Sequence, residues 1–133
     1  MIRILKNVRE QMIEHARSGY PNEACGILAG KQADQGDVFF PMRNLDESSI
    51  SYFMDPKEQL KIFKAMRTQA LQMTGVFHSH VASVAEPSQK DIRLAFYDEI
   101  SYLIVSLSDK QNPALRSFRI KEEKFSEEEI KIS

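Results

Sequence analysis

The feature that most restricts this chain is the stretch Met73-Thr-Gly-Val-Phe-His-Ser-His80. It reads as a strand whose end carries two of the three histidines in the sequence. Side chains two apart on a strand share a face, so His78 and His80 present two imidazoles side by side. A second apolar run, Ser101-Tyr-Leu-Ile-Val-Ser-Leu107, is the clearest buried strand. Any fold for this chain must therefore place a central strand so that its end is open enough for two histidines to act.

Between these runs, Val81 to Pro87 reads as a loop and Ser88 opens a helix. Asp91 falls at that helix's third position, and Ile92, Ala95 and Phe96 lie on an inner face. Asp55-Pro-Lys-Glu58 is a strong helix start. Asp55 can cap, Pro56 suits the first position, and Glu58 sits where a capping-box acid reaches back. This helix is expected to run to Leu71 or Gln72, with Lys57, Lys61, Lys64 and Arg67 on its wet face. An earlier helix begins at Lys6, on Leu5, Val8, Met12 and Ala16, and stops at Gly19 and Pro21. His15 lies on it and reads as a surface histidine. Further strands are expected at Met1–Leu5, Ala24–Gly30, Val38–Arg43, Ile50–Met54, Leu115–Lys121 and Glu129–Ile132. Pro41 places the Val38–Arg43 strand at an edge or bulge. Lys31–Gly36 reads as a turn, and Glu127-Glu128-Glu129 as a solvated acidic end. The pattern alone supports one α/β or α+β domain over residues 1–133, with two or three helices.

Composition removes several function classes. The net charge of −1 gives no field for nucleic acid or an anionic membrane, and no run approaches the ~18 apolar residues of a membrane span. The one cysteine, Cys25, excludes an internal disulfide and suits a reducing compartment, so a cytoplasmic location is expected. No signal-peptide pattern is seen at Met1-Ile-Arg-Ile-Leu-Lys6. Cys25 reads as a small buried residue of a strand rather than a nucleophile or a fourth ligand.

Two imidazoles and a carboxylate suit a catalytic zinc, which takes three protein ligands and keeps one position open for water. Asp91 is the natural third ligand, although Ser-x-x-Asp is also a plain helix-capping arrangement. Such a water needs a base. Glu86 lies in the adjacent loop. Glu23 is the better candidate, a polar group just before a buried strand. Tyr52, Phe53 and Met54 suit either the wall of a substrate channel or core and edge packing.

Taken together, Glu23, His78-Ser79-His80, seven intervening residues, Ser88, two more and Asp91 resemble the JAMM motif of the MPN-plus metallopeptidases. The neighbourhoods Pro21-Asn22-Glu23-Ala24-Cys25-Gly26-Ile27-Leu28, Pro87-Ser88-Gln89-Lys90-Asp91 and Tyr102–Leu107 are similar to the family's as well, so the likeness spans Ile4 to Ile120. The resemblance implies a mixed, largely antiparallel sheet flanked by helices, of the cytidine-deaminase-like kind. It implies one Zn2+ per chain on His78, His80 and Asp91. Glu23 would be the general base and acid that activates zinc-bound water, and Ser88 would help stabilise the oxyanion. The implied activity is hydrolysis of a peptide or isopeptide bond at the C-terminal diglycine tail of a ubiquitin-like or sulfur-carrier protein, with oligomeric state left open. The small single-domain prokaryotic members are the most similar.

Val81 stands where family members often carry proline, which leaves the exit from His80 less constrained. No insertion of the kind that grips a polyubiquitin linkage is present, so the resemblance does not extend to linkage-specific deubiquitination. A non-catalytic MPN-type scaffold module is the alternative reading; relatives of that kind usually lack a ligand, and this chain keeps them all. A zinc deaminase would need a Cys-x-x-Cys pair, which one cysteine cannot supply.

Overall fold

The computed structural model describes residues 1–133. In chain order the elements are β1 (Ile2–Ile4), α1 (Lys6–Gly19), β2 (Cys25–Gly30), β3 (Gln35–Gly36), β4 (Val38–Met42), α2 (Pro56–Thr68), β5 (Gln72–His80), α3 (Gln89–Arg93), β6 (Ser101–Ser106), β7 (Ala114–Lys121), β8 (Lys124–Glu128) and β9 (Ile130–Ile132). The main sheet has six strands in the order β4-β2-β5-β6-β7-β8. All its pairings are antiparallel except β5 with β6. A small parallel sheet, β3-β1-β9, stands beside it. The mixed, largely antiparallel sheet with helices is the architecture expected from the motif.

Strand alternation sorts the core into two layers. On one face Leu28, Phe39, Phe77, Leu103 and Val105 pack with Val8, Met12 and Ala16 of α1 and with Ile2 and Ile4 of β1. On the other, Cys25, Ile27, Ala29 and Met42 pack under Ile62 and Met66 of α2. Val76, Tyr102, Ile104, Phe118 and Ile120 continue that second face, with Ile92 and Ala95 resting on them. Strands covered on both sides read as continuous apolar runs, which is why β2 and β6 were visible in the sequence.

Several local expectations are corrected. Ile50–Met54 forms no strand: only Met54 makes an isolated bridge, to Asn44. The segment from 44 to 53 is instead organised by the Asn44 side chain, which donates to the Ser51 and Glu23 carbonyls and accepts from the Phe53 and Asp46 amides. Asp55 does cap α2, by accepting from Lys57 N–H. Glu58 does not complete a capping box, because its carboxylate accepts the Arg43 N–H at 2.9 Å across to the end of β4. The helix ends at Thr68, short of Leu71, where Ala70 takes φ 55° and the Leu71 amide reaches back to Met66 O. Phe96 is not on an inner face; it is 76% exposed. The turn at 31–36 holds the short strand β3.

The acidic end is structural. Lys124–Glu128 is a strand that the alternation did not reveal, and Glu128 receives hydrogen bonds from Ser117 Oγ, Arg119 and the Met1 ammonium. Burial opposes its charge, but these partners hold its carboxyl below the usual range. Pro41 does sit in an edge strand, as expected, since β4 ends the sheet. No helix is long and apolar enough to cross a membrane.

Candidate active site

The site forms where strand directions bring ends together. β5 runs towards His80, and its antiparallel neighbour β2 starts beside that end. Cys25 pairs with His78, and the Ser79 N–H donates to the Ala24 carbonyl at 3.0 Å. By this alternation Glu23 comes opposite His80 and shares its face, the α2 side of the sheet. On the other flank β6 runs parallel to β5, reached through the loop and α3, so Ser88 and Asp91 return over the same end. Open sites at the carboxyl ends of parallel strands follow from this kind of crossover.

His78 Nε2, His80 Nε2 and Asp91 Oδ2 lie 3.1 Å from one another. All three residues are buried or nearly so. His80 Nδ1–H donates to the Val84 carbonyl at 2.8 Å, which turns Nε2 towards the other two. His78 Nδ1 is buried without a partner, so the ring's polar contacts all run through Nε2. Two nitrogens and a carboxylate oxygen packed this closely form a pocket suited to a cation. Ligands on a tetrahedral zinc with bonds of about 2.0–2.1 Å lie roughly 3.3 Å apart, so the donor set fits that ion. These residues could hold a metal.

Electrostatics point the same way. Burial works against the Asp91 charge, yet bonds with His78, His80 and the Ser88 amide hold its carboxyl well below the usual range. Burial likewise works against a charge on His80, but Asp91 and Val84 outweigh it and raise its pKa. Burial pushes the Glu23 carboxyl up to about 7; His80 pulls it down and Asp91 pushes it up. Glu23 is 6% exposed.

Ser88 and Asp91 form a reciprocal cap: Asp91 N–H donates to Ser88 Oγ at 3.1 Å and Ser88 N–H to Asp91 Oδ2 at 2.9 Å. The cap aims the carboxylate and leaves the Ser88 hydroxyl proton free to donate elsewhere. The cap and the aim of the carboxylate thus rest on one arrangement. Glu86 belongs to a different system, an ion pair with Arg116 at 3.4 Å. Cys25 is buried, and burial pushes its thiol up to about 12, as befits a packing residue. Tyr52 stacks on His78, with centroids 4.8 Å apart and planes at 21°, while Phe53 is exposed. Ser51, Tyr52, Lys90, Asp91 and Leu94 line a small cleft beside the triad.

Three supporting residues were not legible in the sequence. Ser79 faces the α1 side, and its Oγ accepts the Ala24 N–H at 2.8 Å, holding the Glu23 segment against β5. Asn44 secures the same segment by donating to the Glu23 carbonyl at 3.0 Å. His15 is half-buried rather than solvated. Its Nε2 lies 3.0 Å from the Cys25 carbonyl and 3.2 Å from that of Met42, where β2 and β4 part, and its ring meets Phe39 edge-on. The only sequence hint was that His15 stands between Met12 and Ala16 on the apolar stripe.

The fold and the triad together define a domain of the JAB/MPN kind. The model for prokaryotic homologs of the JAB domain matches residues 5–121, and the chain belongs to that family. A CysO-cysteine peptidase of Mycobacterium tuberculosis is 38% identical over 122 residues, 91% of this chain and 84% of the peptidase. A desampylase of Haloferax volcanii is 33% identical over 106 residues, 75% of this chain and 76% of the desampylase. A Desulfitobacterium hafniense protein of known solution structure superposes with a TM-score of 0.91 at 46% identity, over 100% of this chain and 93% of that one. A JAB1/MPN domain protein from Archaeoglobus fulgidus shares the fold, with a TM-score of 0.67 at 19% identity over 98% of both chains. The chain is a hydrolase of the peptidase kind.

Proposed function

We propose that this chain, acting as one domain over residues 1–133, is a zinc-dependent metallopeptidase. Its substrate is the C-terminal tail of a ubiquitin-like or sulfur-carrier protein, joined through a peptide or isopeptide bond. The observation that carries this reading is the triad of donor atoms 3.1 Å apart with a carboxyl of raised pKa on the same face. The relatives support the substrate class: besides the CysO-cysteine peptidase and the desampylase, a probable TtuB-protein conjugate cleaving protease of Thermus thermophilus is 29% identical over 102 residues.

His78, His80 and Asp91 would hold one Zn2+. When bound, the ion supplies Lewis acidity, lowering the pKa of water and polarising a carbonyl. Glu23 accepts the proton from the attacking water on a carboxylate oxygen and returns it to the leaving amine. A carboxyl near pKa 7 is suited to both halves of that exchange at neutral pH. The Ser88 hydroxyl, free to donate, stabilises the oxyanion of the tetrahedral intermediate. Tyr52 stacked on His78 shields one side of the triad from water and keeps the imidazole plane in place. The Cys25 thiol, buried and reduced, suits a cytoplasmic location.

Zinc analysis with a Glu23→Gln variant tests the reading. The parent is expected to carry one zinc and to cleave a diglycine conjugate in a chelator-sensitive way. Glu23→Gln should keep the zinc and lose about 10²–10⁴ in kcat, the usual range for a general base. Equal cleavage by parent and variant refutes the assignment. Cysteine-adduct and lysine-isopeptide conjugates, run side by side with mass-spectrometric detection, identify which bond is preferred.

A further inference from the structure

Helix α2 carries four cations that nothing in the fold uses. Lys57, Lys61 and Lys64 fall within a 60° arc of the helix, and Arg67 and Leu60 extend the same face. All five are exposed, Leu60 to 55%. None of the four basic residues enters an ion pair. The acid on this helix that is nearest to them, Glu58, is turned away and accepts the Arg43 amide. In a chain of net charge −1, this concentrates positive potential on one face.

The position of the face gives it meaning. Ile62 and Met66, on the opposite side of α2, pack on Cys25 and Met42, the layer that also holds the triad. Cys25 is the cross-strand partner of His78, and Tyr52, just before α2, stacks on His78. The helix thus starts at the mouth of the site and leads away from it antiparallel to β5. Lys90, in the wall of the cleft, continues the positive potential inward and acts on Glu23.

We infer that the Lys57–Lys61–Lys64 face of α2, with Arg67 at its flank and Leu60 within it, docks an acidic face on the folded body of the same protein whose tail enters the site. This rests on the peptidase reading above and adds where the rest of the substrate sits. The cleft beside the triad is small and lined by five residues, so discrimination among tail-bearing proteins falls to a surface outside it. Charge complementarity of this type acts mainly on encounter rate, and so on kcat/KM, in a salt-dependent way. Nucleic acid is the poorer occupant, because the face has no aromatic residue on which a base could stack. A membrane is poorer too, since Leu60 is the only apolar group available for insertion.

The test compares two substrates on the full-length zinc-loaded protein. One is a short fluorogenic peptide ending in diglycine-aminocoumarin, a tail without a body. The other is an acidic ubiquitin-like protein conjugated through its diglycine terminus. The triple variant Lys57→Glu/Lys61→Glu/Lys64→Glu is expected to raise KM for the conjugate about tenfold, with kcat and peptide cleavage unchanged. The slope of log kcat/KM against log salt should flatten. The triple Lys→Arg variant should behave as the parent, which separates charge from local fold. Equal KM values for parent and Glu variant overturn the proposal, as does equal loss on the short peptide. So does a Glu variant that loses binding to phosphatidylserine vesicles or to a DNA 20-mer while its conjugate KM is unmoved. If the parent cleaves neither substrate, the peptidase reading fails separately; docking is then read from binding of the unconjugated acidic protein, which the Glu variant should weaken by a similar factor.

Discussion

The burial that suits Glu23 to carry a proton works against folding. Its folded pKa of about 7 exceeds the 4.5 of an exposed glutamate, so the folded, metal-free protein holds the proton more tightly. Stability from this group is therefore highest below pH 4.5, falls as pH rises through 7 and levels off above. A shift of that size corresponds to about 3 kcal/mol at most. After chelation, Glu23→Gln should gain roughly 1–3 kcal/mol over the parent between pH 5 and pH 8, read from urea unfolding. A difference that does not change with pH would show that the carboxyl is not held in this state. Ser79 acts at the same scale from the opposite face. Ser79→Ala leaves the buried Ala24 N–H without its acceptor and should cost about 1–3 kcal/mol. Because that bond fixes the Glu23 segment, kcat should fall further than zinc content does. Parallel losses of both would place the damage in the triad instead.

Among the elements, β2 is tightly confined. It lies between β4 and β5 with helices on both faces, and every one of its residues is buried. Gly26 has no room for a side chain: a Cβ there would stand 2.5 Å from the Phe39 ring and 2.7 Å from the Phe40 carbonyl. Gly26→Ala should destabilise by about 1–3 kcal/mol, seen as a lower midpoint in denaturant with the slope unchanged. A neutral result would mean that β4, as an edge strand, shifts freely to accommodate it. The elements whose periodicity was strong, α1, β2, β5 and β6, were legible because both faces of the strands and one stripe of the helix are committed to the core. Ile50–Met54, despite its alternation, forms no strand: beyond a single bridge of Met54 to Asn44 and one backbone bond from Leu45 to Phe53 it has no strand to pair with, and the Asn44 side chain holds it instead. Strand β8 escaped notice for the converse reason. Its charged side chains lie on an edge strand and are exposed or paired with arginines of β7, so no apolar alternation marks it.

For the molecule as a whole, a metal on the triad would tie β5 to α3 and so couple two parts of the chain that otherwise meet through a five-residue helix. A ligand bound only to the folded state stabilises it by RT ln(1 + [L]/Kd), about 4 kcal/mol at a thousandfold excess over Kd. Chelation should therefore lower the Tm of the parent by several degrees and leave that of a His78→Ala variant unchanged. A chelator effect of equal size in both would exclude the triad as the site of binding. The spacing of Glu23, His78, His80, Ser88 and Asp91, and hence the family, could be read from the sequence, because those residues answer to chemistry and not to packing. Sequence also determined which runs are buried, since apolar patterning reports burial directly. Tertiary structure alone decided the rest. Antiparallel pairing of β2 with β5 puts Glu23 opposite His80 across 57 residues of chain. The parallel return through α3 adds Asp91, and Ser79, Asn44 and His15 are recruited as supports through backbone atoms. Backbone carbonyls and amides are the same in every residue, so no composition or spacing announces which side chain will meet them; only the assembled strands do.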